Sequence, residues 1–259
     1  MKLGDFTQLA TNYKHRPSYS LPVLQLLAQH VGAYREGFTV ADVGAGTGKL
    51  TECLAALGLR GYAVEPNDEM RAEGERAVPP QKHFQWSKGS GELTGLPDSS
   101  VDWLFMASSF HWTDPSASLP EFSRALRPGG FLTVIYNPRD VQTAGLQKEI
   151  DDKIRALVPE LKRKSSGASF YTQDLEMTLL SGGYFHNPVF VEAPFSVAMD
   201  HERYLGVWKS VNDIQSQAGP ERFAQILEFI REKIAPLRQI DCPYRIRSWT
   251  VQATPKANA

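Results

Sequence analysis

The chain has 259 residues, 42% of them hydrophobic and 22% charged, enough to bury a sizeable core as one α/β domain or two small ones. With 28 basic and 29 acidic side chains the formal net charge is −1 and no long basic run occurs, which argues against a protein that grips a phosphate backbone. The two cysteines, Cys53 and Cys242, stand far apart and outside any CxxC or Cys/His spacing, which argues against a disulfide scaffold or a metal site.

The N-terminus lacks the apolar stretch of a secretory signal. The most apolar early run, residues 21–33, carries Gln25, Gln29 and His30 and is too short to span a bilayer, so a cytoplasmic protein without a membrane partner is expected. Within that run Leu21, Leu24, Leu27, Ala28 and Val31 recur at helical spacing, with Pro22 in the first turn, where its missing N–H is harmless. Thr39 to Val43 reads as a short strand that stops at glycines, and Thr47 to Leu59 as a helix closed by Gly58 and Gly61. Tyr62 to Val64 reads as a second strand, Asn67 to Ala77 as a helix, and Val101 to Met106 as a buried strand. Residues 116–126 predict a helix that ends at Arg127-Pro128-Gly129-Gly130, a tight turn leading into an apolar strand from Phe131 to Tyr136. Strands alternating with helices over this stretch imply a parallel sheet covered on both faces.

Beyond residue 137 the rhythm changes. Polar helical stretches run from about 143 to 164 and from 172 to 181, and Asn187 to Val197 alternates like an antiparallel strand. Two helices follow near 200–214 and 220–234, and Tyr244 to Thr254 reads as a last strand. This half reads as the antiparallel edge of the sheet plus helices inserted to cover a site.

The chemistry-bearing motif is the strand–loop–helix around Asp42-Val43-Gly44-Ala45-Gly46-Thr47-Gly48. Glycines there let a ligand and the backbone approach closely. Glu65 ends the next strand, 21 residues after Gly44, where a carboxylate can accept both hydroxyls of a ribose. A dinucleotide fingerprint of the form GxGxxG/A is not met, because Lys49 occupies its third glycine position, and no GxxxxGK[ST] loop is present. The loop is GxGxG.

At this point the sequence resembles the class I, Rossmann-like S-adenosylmethionine (SAM)-dependent methyltransferases, within the methyltransferase type 11 group of small-molecule enzymes. Val40 to Gly48 is similar to the family's first motif, and Glu65-Pro66-Asn67-Asp68-Glu69-Met70 to its second. Lys88 to Pro97 resembles its G-D/T-A-E-x-L-P segment, and Leu126 to Gly130 its L-R-P-G-G turn. The resemblance covers residues 6–136 well and the rest loosely. It implies an α/β fold with a doubly wound, mostly parallel seven-stranded sheet, an antiparallel last strand and helical cap insertions. It also implies a single domain: residues 1–36 as N-terminal lid and first helix, 37–136 as cofactor-binding core, and 137–259 as sheet completion with substrate-cap helices. Gly44, Ala45 and Gly46 would then contact the methionine and ribose parts of SAM, with Asp42 near the methionine amino group. Glu65 would hold the ribose hydroxyls, Asn67 and Met70 would line the adenine, and Ser90 and Gly91 would meet its amino group and ring nitrogen. Phe6, Tyr13, Arg16, Pro17 and Tyr19 match an N-terminal pattern that closes over the cofactor, with Tyr13 and Arg16 toward its carboxylate.

Past the fourth strand this chain carries Ala107-Ser108-Ser109-Phe110-His111-Trp112 in place of the D/N-P-P-Y/F of nucleic-acid adenine methyltransferases. Two readings of His111 stand: a general base with a reference pKa near 6.5, or a structural histidine capping the strand end. The expectation is methyl transfer from SAM to an O, S, N or C nucleophile of a small, partly apolar metabolite, with no nucleic acid as partner. An RNA or protein methyltransferase and a non-enzymatic SAM-binding module are the alternatives.

Overall fold

Four residues with every side chain buried, Val40–Val43, form the central strand β1. The computed structural model, which describes residues 10–141, 145–163 and 172–255, places β1 in a seven-stranded sheet. β2 (Gly61–Val64) and β4 (Val101–Ala107) flank it. β3 (Phe84–Ser87) lies outside β2; β5 (Leu126–Tyr136), β7 (Ile240–Ala253) and β6 (Phe185–Met199) continue beyond β4, giving the order β3-β2-β1-β4-β5-β7-β6. The first five strands pair in parallel and β7 runs antiparallel to both of its neighbours. This is the doubly wound sheet with an antiparallel last strand that the sequence implied. The strand order reverses between β1 and β4, and open α/β sheets bind ligands at the carboxyl ends of the strands at that switch point.

Strand alternation sorts the core onto two faces. On β4, Trp103 and Phe105 pack with Leu24 and Leu27 of α2 (Leu21–His30) and with Leu54 of α3 (Lys49–Ala56). Leu104 and Met106 face the other way, toward Leu119 and Phe122 of α5 (Pro115–Ala125), while α4 (Asp68–Ala77) follows β2. A third apolar cluster forms the cap. Ile150 and Ile154 of α6 (Leu146–Leu157), Tyr204 and Trp208 of α8 (His201–Lys209) and Ile226 and Ile230 of α9 (Asn212–Ile234) rest together on Cys242 and Tyr244 of β7. α7 (Leu175–Leu180) instead joins the sheet through Leu175 and Leu179. No helix among the described residues is long and apolar enough to cross a membrane.

The structure departs from the sequence expectation in three places. Phe84–Ser87, read as no element, is the edge strand β3, held by four parallel pairings to β2 from Gly61 to Val64. Leu126 already pairs with Val101, and Phe131 with Trp103, so residues 127–130 bulge out of β5 opposite Asp102 rather than preceding it as a simple turn. The buried Asp102 carboxylate explains the bulge: it accepts from the Thr39 N–H at 2.9 Å, from Arg35 at 2.6 Å and from Arg127 at the bulge itself. The predicted break near residue 214 falls instead at Ser210-Val211, while Gly219 (φ 71°, ψ 171°) ahead of Pro220 interrupts α9. Phe6 and parts of the stretch from 143 to 172 lie outside the described residues.

Candidate functional site

Above the carboxyl ends of β1, β2 and β4 opens a cavity of about 1470 Å³. Its floor is the glycine loop. Gly44 (φ 71°) and Gly46 (φ 58°) occupy the left-handed region, and a Cβ on Gly44 would stand 2.7 Å from Cβ of Ser109. A Cβ on Gly46 would meet the Met70 methyl at 3.3 Å. The loop amides are already engaged: Gly44 and Ala45 donate to the Val64 carbonyl at 2.8 and 3.0 Å, and Gly46 donates to Glu65 at 2.8 Å. A phosphate-binding loop presents such N–H groups to its ligand. This one turns them toward β2, which favours a cofactor without a pyrophosphate.

Glu65 is placed by the end of β2 and held by two backbone donors, Gly46 N–H on one oxygen and Asn67 N–H at 2.9 Å on the other. Each carboxylate oxygen keeps a second lone pair for a ligand hydroxyl. Burial raises its pKa, and the two backbone hydrogen bonds oppose the rise. Asn67 caps α4 by accepting from the Met70 N–H at 3.0 Å, which sets Met70, itself buried, against the loop. Ser90 does not act alone: its hydroxyl donates to Glu92 at 2.9 Å, and Glu92 also accepts from the Asp114 N–H that opens α5. A Cβ on Gly91 would meet the Thr113 methyl at 2.5 Å, so that wall tolerates no side chain.

Asp42 is the candidate that does not reach the cavity wall. It is fully buried beneath the loop, where Thr51 donates to one oxygen at 2.6 Å while the other has no hydrogen-bond partner among the described residues. Burial, with Glu65 adding to it, pushes its pKa up to about 7 against the Thr51 hydrogen bond.

Tyr13, Arg16, Gly44, Ala45, Gly46 and Glu65 all line the cavity, as do Asn67, Met70, Ser90, Gly91 and His111. The N-terminal residues arrive through α1 (Ala10–Tyr13). Arg16 lies over the Tyr13 ring at 4.0 Å and donates to Ser210 through Nε at 2.9 Å and Nη2 at 2.8 Å, which ties this segment to the end of α8. His111 sits on the one-turn 3-10 helix after β4, 4.8 Å from the Trp112 ring and 5.8 Å from Tyr136 between centroids. Burial pushes its pKa down to about 4, with Asp213 opposing and Arg16 adding to the fall, so the imidazole is neutral throughout the physiological range.

Three contributors escaped the sequence reading. Ser108 adopts φ 55°, a strained setting for a non-glycine residue, and accepts from the Tyr19 hydroxyl at 3.0 Å. Glu92 enters through Ser90, and Arg139 enters from beyond β5. The positive φ of Ser108 had no local signal; Glu92 was visible as the acidic member of the Lys88–Pro97 segment.

Residues 41–134 match the family described as "Methyltransferase domain". Uncharacterized methyltransferases of Mycobacterium tuberculosis and Mycobacterium bovis are 41% identical over 154 residues, which is 60% of this chain and 60% of theirs. A malonyl-[acyl-carrier protein] O-methyltransferase of Yersinia pestis is 32% identical over 128 residues, 49% of this chain and 46% of that one. The fold matches a structure from Anaeromyxobacter dehalogenans described as a type II methyltransferase, with TM-score 0.61 and 21% identity over 93% of this chain and 99% of that one. The match to the mycobacterial relatives thus spans about 60% of their length.

Proposed function

We propose that this chain, a member of the class I, Rossmann-like SAM-dependent methyltransferases, transfers a methyl group from SAM to a nucleophilic atom of a small, partly apolar metabolite. The observation that carries the reading is the convergence on one cavity of a glycine loop with its amides turned away, the Glu65 carboxylate, and His111. In this reading Gly44, Ala45 and Gly46 receive the methionine and ribose parts, and Glu65 accepts from the ribose hydroxyls. Asn67, Met70, Ser90 and Gly91 enclose the adenine, with Glu92 supplying negative charge beside the Ser90 hydroxyl. Asp42, beneath the loop, orders it through Thr51 and supports the methionine end, toward which Tyr13 and Arg16 point from the lid.

When bound, SAM supplies an electrophilic methyl on a sulfonium, so the protein's task is to align a nucleophile and keep water out. A neutral His111 suits that setting. It adds no charge to repel the sulfonium and keeps a lone pair to accept a hydrogen bond, or a proton, from an attacking hydroxyl. Its low pKa makes it a weak base, so orienting the acceptor is the larger part of its role.

Residues 1–36 act as lid and first helix, 37–136 as cofactor core and 137–259 as sheet completion and cap, all within one domain. A small acceptor is favoured because the cap places Trp208, Val207 and Tyr244 over the site. The Yersinia pestis relative is named for an oxygen acceptor, which fits a role for His111. Two buried, unpaired cysteines fit a cytoplasmic location. The test is incubation with methyl-labelled SAM and either a dialysable metabolite pool or the macromolecules retained by dialysis. Label transferred to small molecules supports the reading; label confined to macromolecules replaces it with the RNA or protein alternative; no transfer despite tight SAM binding leaves a binding module.

A further inference from the structure

Within the cavity the basic side chains divide into two groups. Lys49, Arg155, Arg163, Arg245 and Arg247 each face a carboxylate within 4 Å: Glu52, Asp151, Asp213, Asp140 with Glu192, and Glu192 respectively. Among the described residues Arg16 and Arg139 meet none. Arg16 is committed to Ser210 and Tyr13. Arg139 remains as a half-buried cation with no carboxylate within 4 Å among the described residues, in a wall that the cofactor reading does not use.

Its position is built rather than incidental. Residues 138–140 extend the sheet beyond β5: Arg245 N–H donates to the Pro138 carbonyl and Asp140 N–H to the Pro243 carbonyl, both at 2.9 Å, making Arg139 the bridge partner of Tyr244. The guanidinium carbon lies 3.6 Å from the centre of the Trp208 ring. The ring supplies no counter-charge, and the Tyr244 hydroxyl beside the guanidinium engages only part of its five N–H donors, leaving the rest for another partner. Burial raises the pKa of Tyr204, Tyr244 and Cys242, and the next influence on each is the Arg139 charge, pulling it down, so the guanidinium is the local source of positive field. Arg139 lies only three residues after Tyr136, whose ring neighbours His111.

We infer that Arg139 is a specificity-determining residue that anchors an anionic group of the methyl acceptor, a carboxylate or a phosphate, and holds it beside the aromatic walls of Trp208 and Tyr244. The inference rests on the methyltransferase reading for the word "acceptor" but not for the binding itself. A planar guanidinium offers a carboxylate or phosphate paired hydrogen bonds, and one pre-stacked on an aromatic ring loses little freedom on binding.

The test uses the full-length protein saturated with S-adenosylhomocysteine, titrated with 3-phenylpropanoate, its neutral amide, and phenyl phosphate, with tryptophan fluorescence and calorimetry as readouts. The acid or the phosphate should bind about 10- to 100-fold more tightly than the amide, the range of one charged hydrogen-bonded pair. Whichever of the two anions binds better identifies the headgroup. R139L should bring the better anion down to the amide's affinity, R139K should recover part of the difference, and both should keep their S-adenosylhomocysteine affinity, which shows that the fold is intact. Equal binding of acid, phosphate and amide, binding of none of them, or an R139L protein that still prefers the anion overturns the inference. Failure to bind the cofactor product while the anion preference persists instead overturns the methyltransferase reading and spares this subsite.

Discussion

Removing the Glu65 carboxylate should cost cofactor affinity without unfolding the protein. In Glu65→Ala both carboxylate oxygens proposed to accept from the ribose vanish, and the Gly46 and Asn67 N–H groups lose bonds of 2.8 and 2.9 Å that tie the glycine loop to the start of α4. Hydrogen bonds to a charged group are each worth about 1.5–3 kcal/mol, and two on one carboxylate do not simply add. Part of the lost interaction also falls on the free protein, because its own two amides lose their acceptor. The expected net loss is therefore about 1.5–3 kcal/mol, or roughly 10- to 150-fold in dissociation constant. Glu65→Gln should lose a similar amount, since its amide nitrogen must face one of those two backbone donors. Calorimetric titration with S-adenosylhomocysteine at neutral pH measures the change, and circular dichroism checks the fold. An affinity within threefold of wild type in both folded variants would refute the reasoning.

Gly44→Ala should destabilise the fold by about 1–3 kcal/mol in urea unfolding, because the new Cβ meets Ser109 at 2.7 Å and sits at φ 71°; an unchanged midpoint contradicts the loop geometry. His111→Ala should lower kcat about 10²-fold on a hydroxyl acceptor, the scale of a mispositioned nucleophile, with little change in cofactor affinity, whereas a loss under tenfold makes the residue structural. Because its pKa is about 4, kcat of the wild type should show no histidine limb near pH 6.5; a limb there would mean an ordinary, solvated imidazole. Asp42 binds its proton more tightly folded, at about 7, than unfolded, so its effect on stability worsens as pH rises from about 4 to 7 and is constant above that. Asp42→Asn should abolish that decline, worth at most about 4 kcal/mol, and urea midpoints of the two proteins that shift in parallel with pH would rule it out.

Much of this was legible in the chain because local rules and global packing agree over residues 40–136. Val40–Val43 stops at residues that only glycine tolerates, Asn67 caps the helix it was expected to open, and Glu65 stands at a strand end facing the loop. β3 was not legible: Phe84–Ser87 buries only Phe84 and lacks the apolar run that marks β1 and β2, and pairing with β2 supplies what propensity does not. The bulge at 127–130 depends on Asp102, a buried carboxylate whose partners come from two separated segments, Arg35 with Thr39 and Arg127. His111 was identified by type and place, but its low pKa comes from burial, which no spacing encodes. Arg139 escaped for a related reason. An isolated arginine after a strand carries no signal until the cap brings Trp208 against it.

A SAM site over β1, β2 and β4, on a loop whose amides face β2 and not a pyrophosphate, should discriminate between sulfonium and dinucleotide cofactors. Parallel calorimetric titrations of the wild type with SAM, S-adenosylhomocysteine and NAD test it most directly. The first two should bind saturably and one-to-one and NAD not at all; tight NAD binding with no response to either sulfur compound would place a dinucleotide in the cavity instead.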